Sequence, residues 1–267
     1  MLKRIAALAL MMCLWTSMAL AKTDPTPTPP PLDISQEVLE PPTLIRDMLD
    51  IAYHEWEELG GKSLSDKNKY TTWRGPNVSF KWCGGYVTWC MLQAGVPQER
   101  EQAIVDAAKE TSDGLVEFDG IFHIKEANVG DLLVGYLTMN RTTNVPQPGY
   151  LLVYGASYNR YIHVGLVYDV LPLGNGKFRI TTLEGNMSHT IKMYIRDYDM
   201  YADNKEQNLS MVPEDERTVE AAKNMDYSIA QGKVGGKLHN FYVNCFLMPW
   251  VPDDPFNELT TPTPPPQ

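Results

Sequence analysis

The sequence predicts an α+β fold in which N-terminal helices pack on a multi-stranded antiparallel β-sheet. Two patterns predict it. Apolar residues recur at helical spacing from Thr43 to about residue 109, and from about residue 131 the pattern switches to period two. Helices first and strands after is the order expected of an α+β domain. A third observation is composition. The chain is 43% hydrophobic and 21% charged, which supports a packed core and excludes a wholly disordered chain.

The elements follow in order. Thr43 to Leu59 reads as an amphipathic helix, with Leu44, Met48, Ile51, Ala52 and Leu59 on one face. Thr43 is placed to cap its start, and Gly60-Gly61 ends it. A polar loop occupies 63–80. A second helix is predicted from Cys83 to Ala94, stopped by Gly95 and Pro97, with Cys83, Tyr86, Val87, Cys90, Met91 and Ala94 on one face. A third short helix is predicted at Gln98–Lys109. Strands are predicted at 131–139, 150–154, 162–170, 177–184, 189–195 and 240–248. Leu173-Gly174-Asn175-Gly176 reads as a turn between two of them.

The ends have a different character. Residues 1–21 open with Lys3 and Arg4, continue as an apolar run and close on Ala19-Leu20-Ala21, the pattern of a cleavable signal peptide. A membrane anchor is the alternative, but the run is short against the ~20 apolar residues of a span. Cys13 does not read as a lipoprotein cysteine, because Met12 stands where a small residue is required. Residues 22–41 and 254–267 are Pro/Thr-rich, an extended linker and tail. Between them, 42–253 reads as one domain with a polar insertion at about 197–238. The expected location is outside the cell or in its envelope, with no stable membrane insertion after processing. A monomer is expected.

Charge and cysteine usage narrow the function. The formal net charge is -10, and losing Lys3 and Arg4 takes it to about -12. An acidic chain of this kind argues against a nucleic-acid binder, which needs clustered positive charge. Of the four cysteines, Cys83, Cys90 and Cys245 remain after processing. An odd number leaves at least one thiol outside an intramolecular disulfide. Cys83 and Cys90 are seven residues apart on one helix, roughly 10 Å, too far to be joined. A Cys90–Cys245 disulfide stays open beside the reading of Cys90 as a buried thiol.

Cys83 is the first candidate for chemistry. At the first turn of a helix a thiol meets unpaired backbone N–H groups and the positive end of the helix dipole, and both favour the nucleophilic thiolate. The competing reading is a small core residue. A nucleophilic thiol needs a base. Of His54, His123, His163, His189 and His239, His163 opens the apolar strand IHVGLV, with Gly165 leaving space on its own face. His189 and His239 also begin strands, so position alone does not choose. The base needs an orienting acceptor, and LEGN at 183–186 offers Glu184 and Asn186 at the end of the next strand. A strand-ending turn is the plainer reading of that tetrapeptide.

In combination NKYTTW (68–73), WCGGYVTWC (82–90), IHVGLV (162–167) and LEGN (183–186) resemble the CHAP family of cysteine, histidine-dependent amidohydrolases/peptidases. The resemblance covers about 42–250. It implies a papain-like fold and a hydrolase that cuts an amide of peptidoglycan, either at the N-acetylmuramoyl-L-alanine bond or within the peptides. It implies Cys83 as nucleophile, His163 as general base, and Glu184 and Asn186 as the residues that orient the histidine. Trp82 and Tyr70 are the candidates for substrate contact, and Tyr70 and Asn77 for a second oxyanion donor. The sequence departs from the family at Tyr150, which replaces an aspartate usual before the histidine strand. Gly130-Asp131 offers a similar pair earlier in the chain.

No metal and no cofactor are expected. The polar loop before the cysteine motif carries one aspartate, Asp66, and no Cys-x-x-Cys, His-x-x-x-His or Gly-x-Ser-x-Gly occurs. The partner expected is peptidoglycan or its fragments. The alternatives are a secreted cysteine peptidase or transpeptidase acting on protein, or a binding module that keeps the fold without catalysis.

Overall fold

The computed structural model describes residues 37–157, 160–200 and 242–257. The segment expected to be a signal peptide (1–21), most of the segment expected to be a linker (22–41), the expected insertion from residue 201 onward and most of the expected C-terminal tail lie outside the described residues.

Three helices come first. Helix α1, Thr43–Leu59, buries Leu44, Ile45, Met48, Leu49 and Ala52 on its inner face. Its N-cap is Pro42, not Thr43, and no side chain caps it. The Pro42 carbonyl takes the first N–H groups, and the Thr43 hydroxyl accepts from Arg46 instead. Thr43 is already inside the first turn, too far along to serve as a cap. Helix α2, Lys69–Thr72, sits in the predicted polar loop. A reciprocal capping box between Asn68 and Thr71 forms it. Helix α3, Cys83–Gln93, begins at the predicted cysteine.

The middle of the chain departs from the sequence reading. Gln98–Glu99 is strand β1, paired in parallel with β2, His123–Ile124. The third helix, α4, therefore starts at Glu101 and ends at Ala108. The apolar stretch predicted as a strand at 131–139 is helix α5, Val129–Thr138. Its Asn128 side chain accepts from the Gly130 N–H at 2.9 Å, and Asp131 lies in its first turn. A helix buried on nearly every side shows neither period clearly, so a continuous apolar run such as LLVGYL does not reveal which element it forms.

The main sheet is six-stranded and antiparallel. Its strands are β3 (Thr142–Thr143), β4 (Leu151–Ser157), β5 (Arg160–Gly174), β6 (Lys177–Glu184), β7 (Lys192–Asp199) and β8 (Tyr242–Leu247), in the order β3-β8-β4-β5-β6-β7. The turn at Gly174-Asn175-Gly176 joins β5 to β6, and all three residues have positive φ. Strand β7 starts at Lys192, three residues later than expected. Ser188 and His189 sit at φ 58° and 64°, a conformation that no strand continues through.

Helix α3 packs on β5 and α1 packs on α3. Val87, Met91, Val164, Leu166 and Leu183 belong to one buried cluster with Met48 and Ala52. Each such aliphatic side chain contributes about 1.5–3 kcal/mol by leaving water. This core fixes the start of α3 against the middle of the sheet. Cys83, Cys90 and Cys245 are all buried thiols, so the Cys90–Cys245 disulfide is not formed.

Candidate active site

Three elements deliver the site. Helix α3 places Cys83 at its first position, β5 places His163, and β6 ends on Glu184. The start of α3 is pressed against its surroundings through two glycines. A Cβ on Gly84 would lie 2.3 Å from the Ala127 carbonyl oxygen, and one on Gly85 would lie 2.5 Å from that of Tyr70. Any larger residue would push the helix start, and Cys83 with it, off these two backbones.

Strand register builds the rest. Leu166 pairs with Leu183, so the next step places Gly165 across from Glu184. Gly165 has no side chain, and a Cβ there would lie 2.8 Å from Glu184 Cγ. The carboxylate occupies that space and reaches His163 diagonally, with Oε2 3.0 Å from Nε2. The space that Gly165 leaves beside His163 is filled by the Glu184 side chain. With Nε2 on Glu184, Nδ1 is the ring nitrogen left for Cys83, and Cys83 and His163 share a side-chain hydrogen bond.

The site is nearly closed. Cys83 and His163 are each 7% exposed and Glu184 is 0% exposed. Burial alone would raise the Cys83 thiol. The hydrogen bond and charge of His163, with backbone hydrogen bonds from Gly84 and Val164, outweigh it and hold the thiol below its ordinary value. Burial alone would also lower His163, but Cys83 and Glu184 reverse this and raise it. Burial would raise Glu184; His163, Arg196 and Thr182 instead hold it below the usual carboxylate range. The three directions agree on a thiolate, an imidazolium and a carboxylate in a row.

Glu184 has more partners than the sequence suggested. Its Oε1 accepts from Tyr154 OH, Thr182 Oγ1 and Arg196 Nη1, each at 2.7 Å. Tyr154 is the register partner of His163 on β4, and its ring stacks on the imidazole at 5.6 Å between centroids. Thr182 lies two residues before Glu184 on the same face of β6, a spacing visible in the sequence. Tyr154 and Arg196 required the register of β4 and β7, which no local pattern shows.

The other histidines are set apart by their surroundings. His123 is fully buried between Thr88 and Tyr136, and burial pushes it down to about 3, so it stays neutral. His54 is exposed beside Glu57, and His189 lies 3.6 Å from Asp66. His239 is outside the described residues. Burial raises the Cys90 thiol well above its usual value, with Glu55 adding to the effect, which leaves that thiol inert.

Several expected residues fall elsewhere. Asn186 follows the end of β6 at φ 61°, and among the described hydrogen bonds it is Glu184, not Asn186, that holds His163. Trp82 and Tyr70 are 0% exposed and stacked on one another at 5.1 Å. Buried in the core, they offer no surface for substrate, which corrects the expectation of direct contact. The Tyr70 hydroxyl donates to Glu55, so it does not serve as an oxyanion donor. Asn77 is exposed and pairs with Lys67. Gly130-Asp131 lies in the first turn of α5, away from any strand leading to His163.

Helices packed on an antiparallel sheet, with a helix-borne thiol facing a strand-borne imidazole, define a papain-like cysteine hydrolase. Residues 75–186 match the family model of the CHAP domain, a span that contains Cys83, His163 and Glu184. Over that span the chain is similar to the CHAP domain, which is a cysteine, histidine-dependent amidohydrolase/peptidase domain. Neither the curated proteins nor the solved structures contain a match to the chain.

Proposed function

We propose that the protein is an exported cysteine hydrolase that cleaves an amide bond of peptidoglycan, with Cys83 as nucleophile, His163 as acid and base, and Glu184 as the residue that orients His163. The observation that carries this reading is the buried Cys83–His163–Glu184 row. A structural cysteine needs no imidazole, and a structural histidine such as His123 is kept neutral. The wall substrate is supported by the CHAP match and the signal-peptide pattern at 1–21. No helix among the described residues is long and apolar enough to cross a membrane.

The chemistry is acyl transfer in two steps. The Cys83 thiolate adds to the scissile carbonyl carbon, and its electron pair moves onto oxygen. Backbone N–H groups at the start of α3 face that developing charge. Collapse re-forms the carbonyl and breaks the C–N bond while His163 gives its proton to the departing amine. Neutral His163 then takes a proton from water as the oxygen adds to the thioester. Collapse releases the carboxylic acid and regenerates thiolate and imidazolium.

The test is digestion of purified peptidoglycan by the wild-type chain and by Cys83→Ala, with mass spectrometry of the soluble products. Fragments released only by wild type are expected, and their new termini name the bond. The variant should lose ~10^3-fold or more. No fragments from several wall types, with the protein folded and reduced, would overturn the wall substrate in favour of a protein substrate or a binding role.

A further inference from the structure

The row of charges at the site does not end at Glu184. Cys83 and Glu184 are two anions with His163 as one cation between them, and a buried carboxylate with half a partner is costly. Arg196, on edge strand β7, supplies the second cation. It stands across from Ile180 and extends past Thr182, with Nη1 3.2 Å from Thr182 Oγ1, 3.0 Å from Tyr154 OH and 2.7 Å from Glu184 Oε1. Its guanidinium lies over the Tyr194 ring at 4.1 Å, which fixes its direction. The groups facing Glu184 are thus His163 from β5, Tyr154 from β4, Thr182 on its own strand, and Arg196 with Tyr194 from β7. Among them, Arg196 alone carries a permanent charge.

We propose that Arg196 is a positioning residue of the site: by holding Glu184 Oε1 it keeps that carboxylate ionised and its other oxygen on His163, and so sets how far into the acid range Cys83 stays a thiolate. The division of labour follows from the two carboxylate oxygens. Three donors occupy Oε1, so Oε2 is left to the imidazole. Two of those donors are neutral hydroxyls that satisfy lone pairs without favouring the ionised form as a cation does. Taking away the positive charge weakens both anions of the row in the same direction. Glu184 protonates at higher pH, and so does Cys83. A residue that merely held β7 in place would lower reactivity alike at every pH.

The inference rests on the reading of Cys83 and His163 as a thiolate–imidazolium pair, and its test uses no wall substrate. Alkylation of Cys83 by iodoacetamide is followed between pH 4 and 8 in the full chain, with Cys83→Ser as the blank. The variants are Arg196→Gln, Arg196→Met, which keeps a stem to lie on Tyr194, and Arg196→Lys, which keeps the charge. Circular dichroism identifies the folded variants, and either neutral one suffices. Wild type should react fast well below the ordinary thiol range. Arg196→Gln and Arg196→Met should be about tenfold slower at pH 5, one unit of midpoint, and approach wild type as pH rises. Arg196→Lys should stay within about twofold of wild type throughout. In a Glu184→Gln background, Arg196→Gln should add nothing further. Neutral variants with the wild-type pH dependence, or slowed equally at all pH values, would overturn the role of Arg196. A wild-type chain with no fast reaction below the ordinary thiol range would instead overturn the ion-pair reading beneath it.

Discussion

Glu184 is the residue on which the site's charge balance turns, and it makes the sharpest predictions. It is fully buried and bonded to His163, Tyr154, Thr182 and Arg196. Glu184→Gln leaves Arg196 and His163 facing a neutral amide, and breaking a buried ion pair in this way costs about 3–5 kcal/mol. The sign with pH follows from the direction of the shift. Glu184 is held below its ordinary value of 4.5, so its stabilisation is fully present above that value and is lost as pH falls below it. Thermal melts of wild type and Glu184→Gln should therefore differ most at neutral pH and converge under acid. A constant gap down to pH 3 would contradict the assignment. Activity should fall ~10^2–10^4-fold in the same variant, as when the orienting acid of a catalytic triad is neutralised.

At the scale of elements, the site depends on close approach. Gly165→Ala puts a Cβ 2.8 Å from Glu184 Cγ and forces the carboxylate off His163. Hydrolysis and Cys83 alkylation at neutral pH should both drop by tenfold or more, with the melting temperature changing far less than in Glu184→Gln. Wild-type alkylation in Gly165→Ala would show that the carboxylate has other room. This close approach also shows what the sequence carried. Cys83 at a helix start, His163 on an apolar strand and Glu184 at the end of the next strand were legible, because each depends on local periodicity and a single hairpin. Gly165 was legible as a gap, though not its occupant. Tyr154 and Arg196 were not legible, since they belong to strands whose register is set by non-local pairing. The helix Val129–Thr138 was hidden by its own burial, and Tyr70 and Trp82 were misread because an aromatic beside a nucleophile looks the same in sequence whether it lines a cleft or fills the core.

At the scale of the whole molecule, charge governs the encounter with substrate. The chain carries a net charge of -10. A wall rich in anionic polymers repels it at low ionic strength, and salt screens that repulsion over about 10 Å at 0.1 M. Release of fragments from intact anionic walls should therefore rise between 10 and 150 mM salt. Turnover of small soluble wall fragments should change little. A fall with salt on intact walls would instead point to an attractive basic surface on the chain. The nearly closed site adds a second whole-chain expectation. A thiolate is open to oxidation once the protein is purified in air, so purified protein should gain activity with reductant. No gain, in protein whose Cys83 already labels fully, would count against an oxidation-prone thiolate.

The central claim is that Cys83 carries the acyl group during turnover. Acid-quench mass spectrometry of the protein mixed with soluble wall peptides tests it most directly. The expected result is a transient adduct, equal in mass to the acyl half of the substrate, on the peptide containing Cys83, and its absence in Cys83→Ala. Fragment release with no adduct, or with an adduct on another residue, would contradict it.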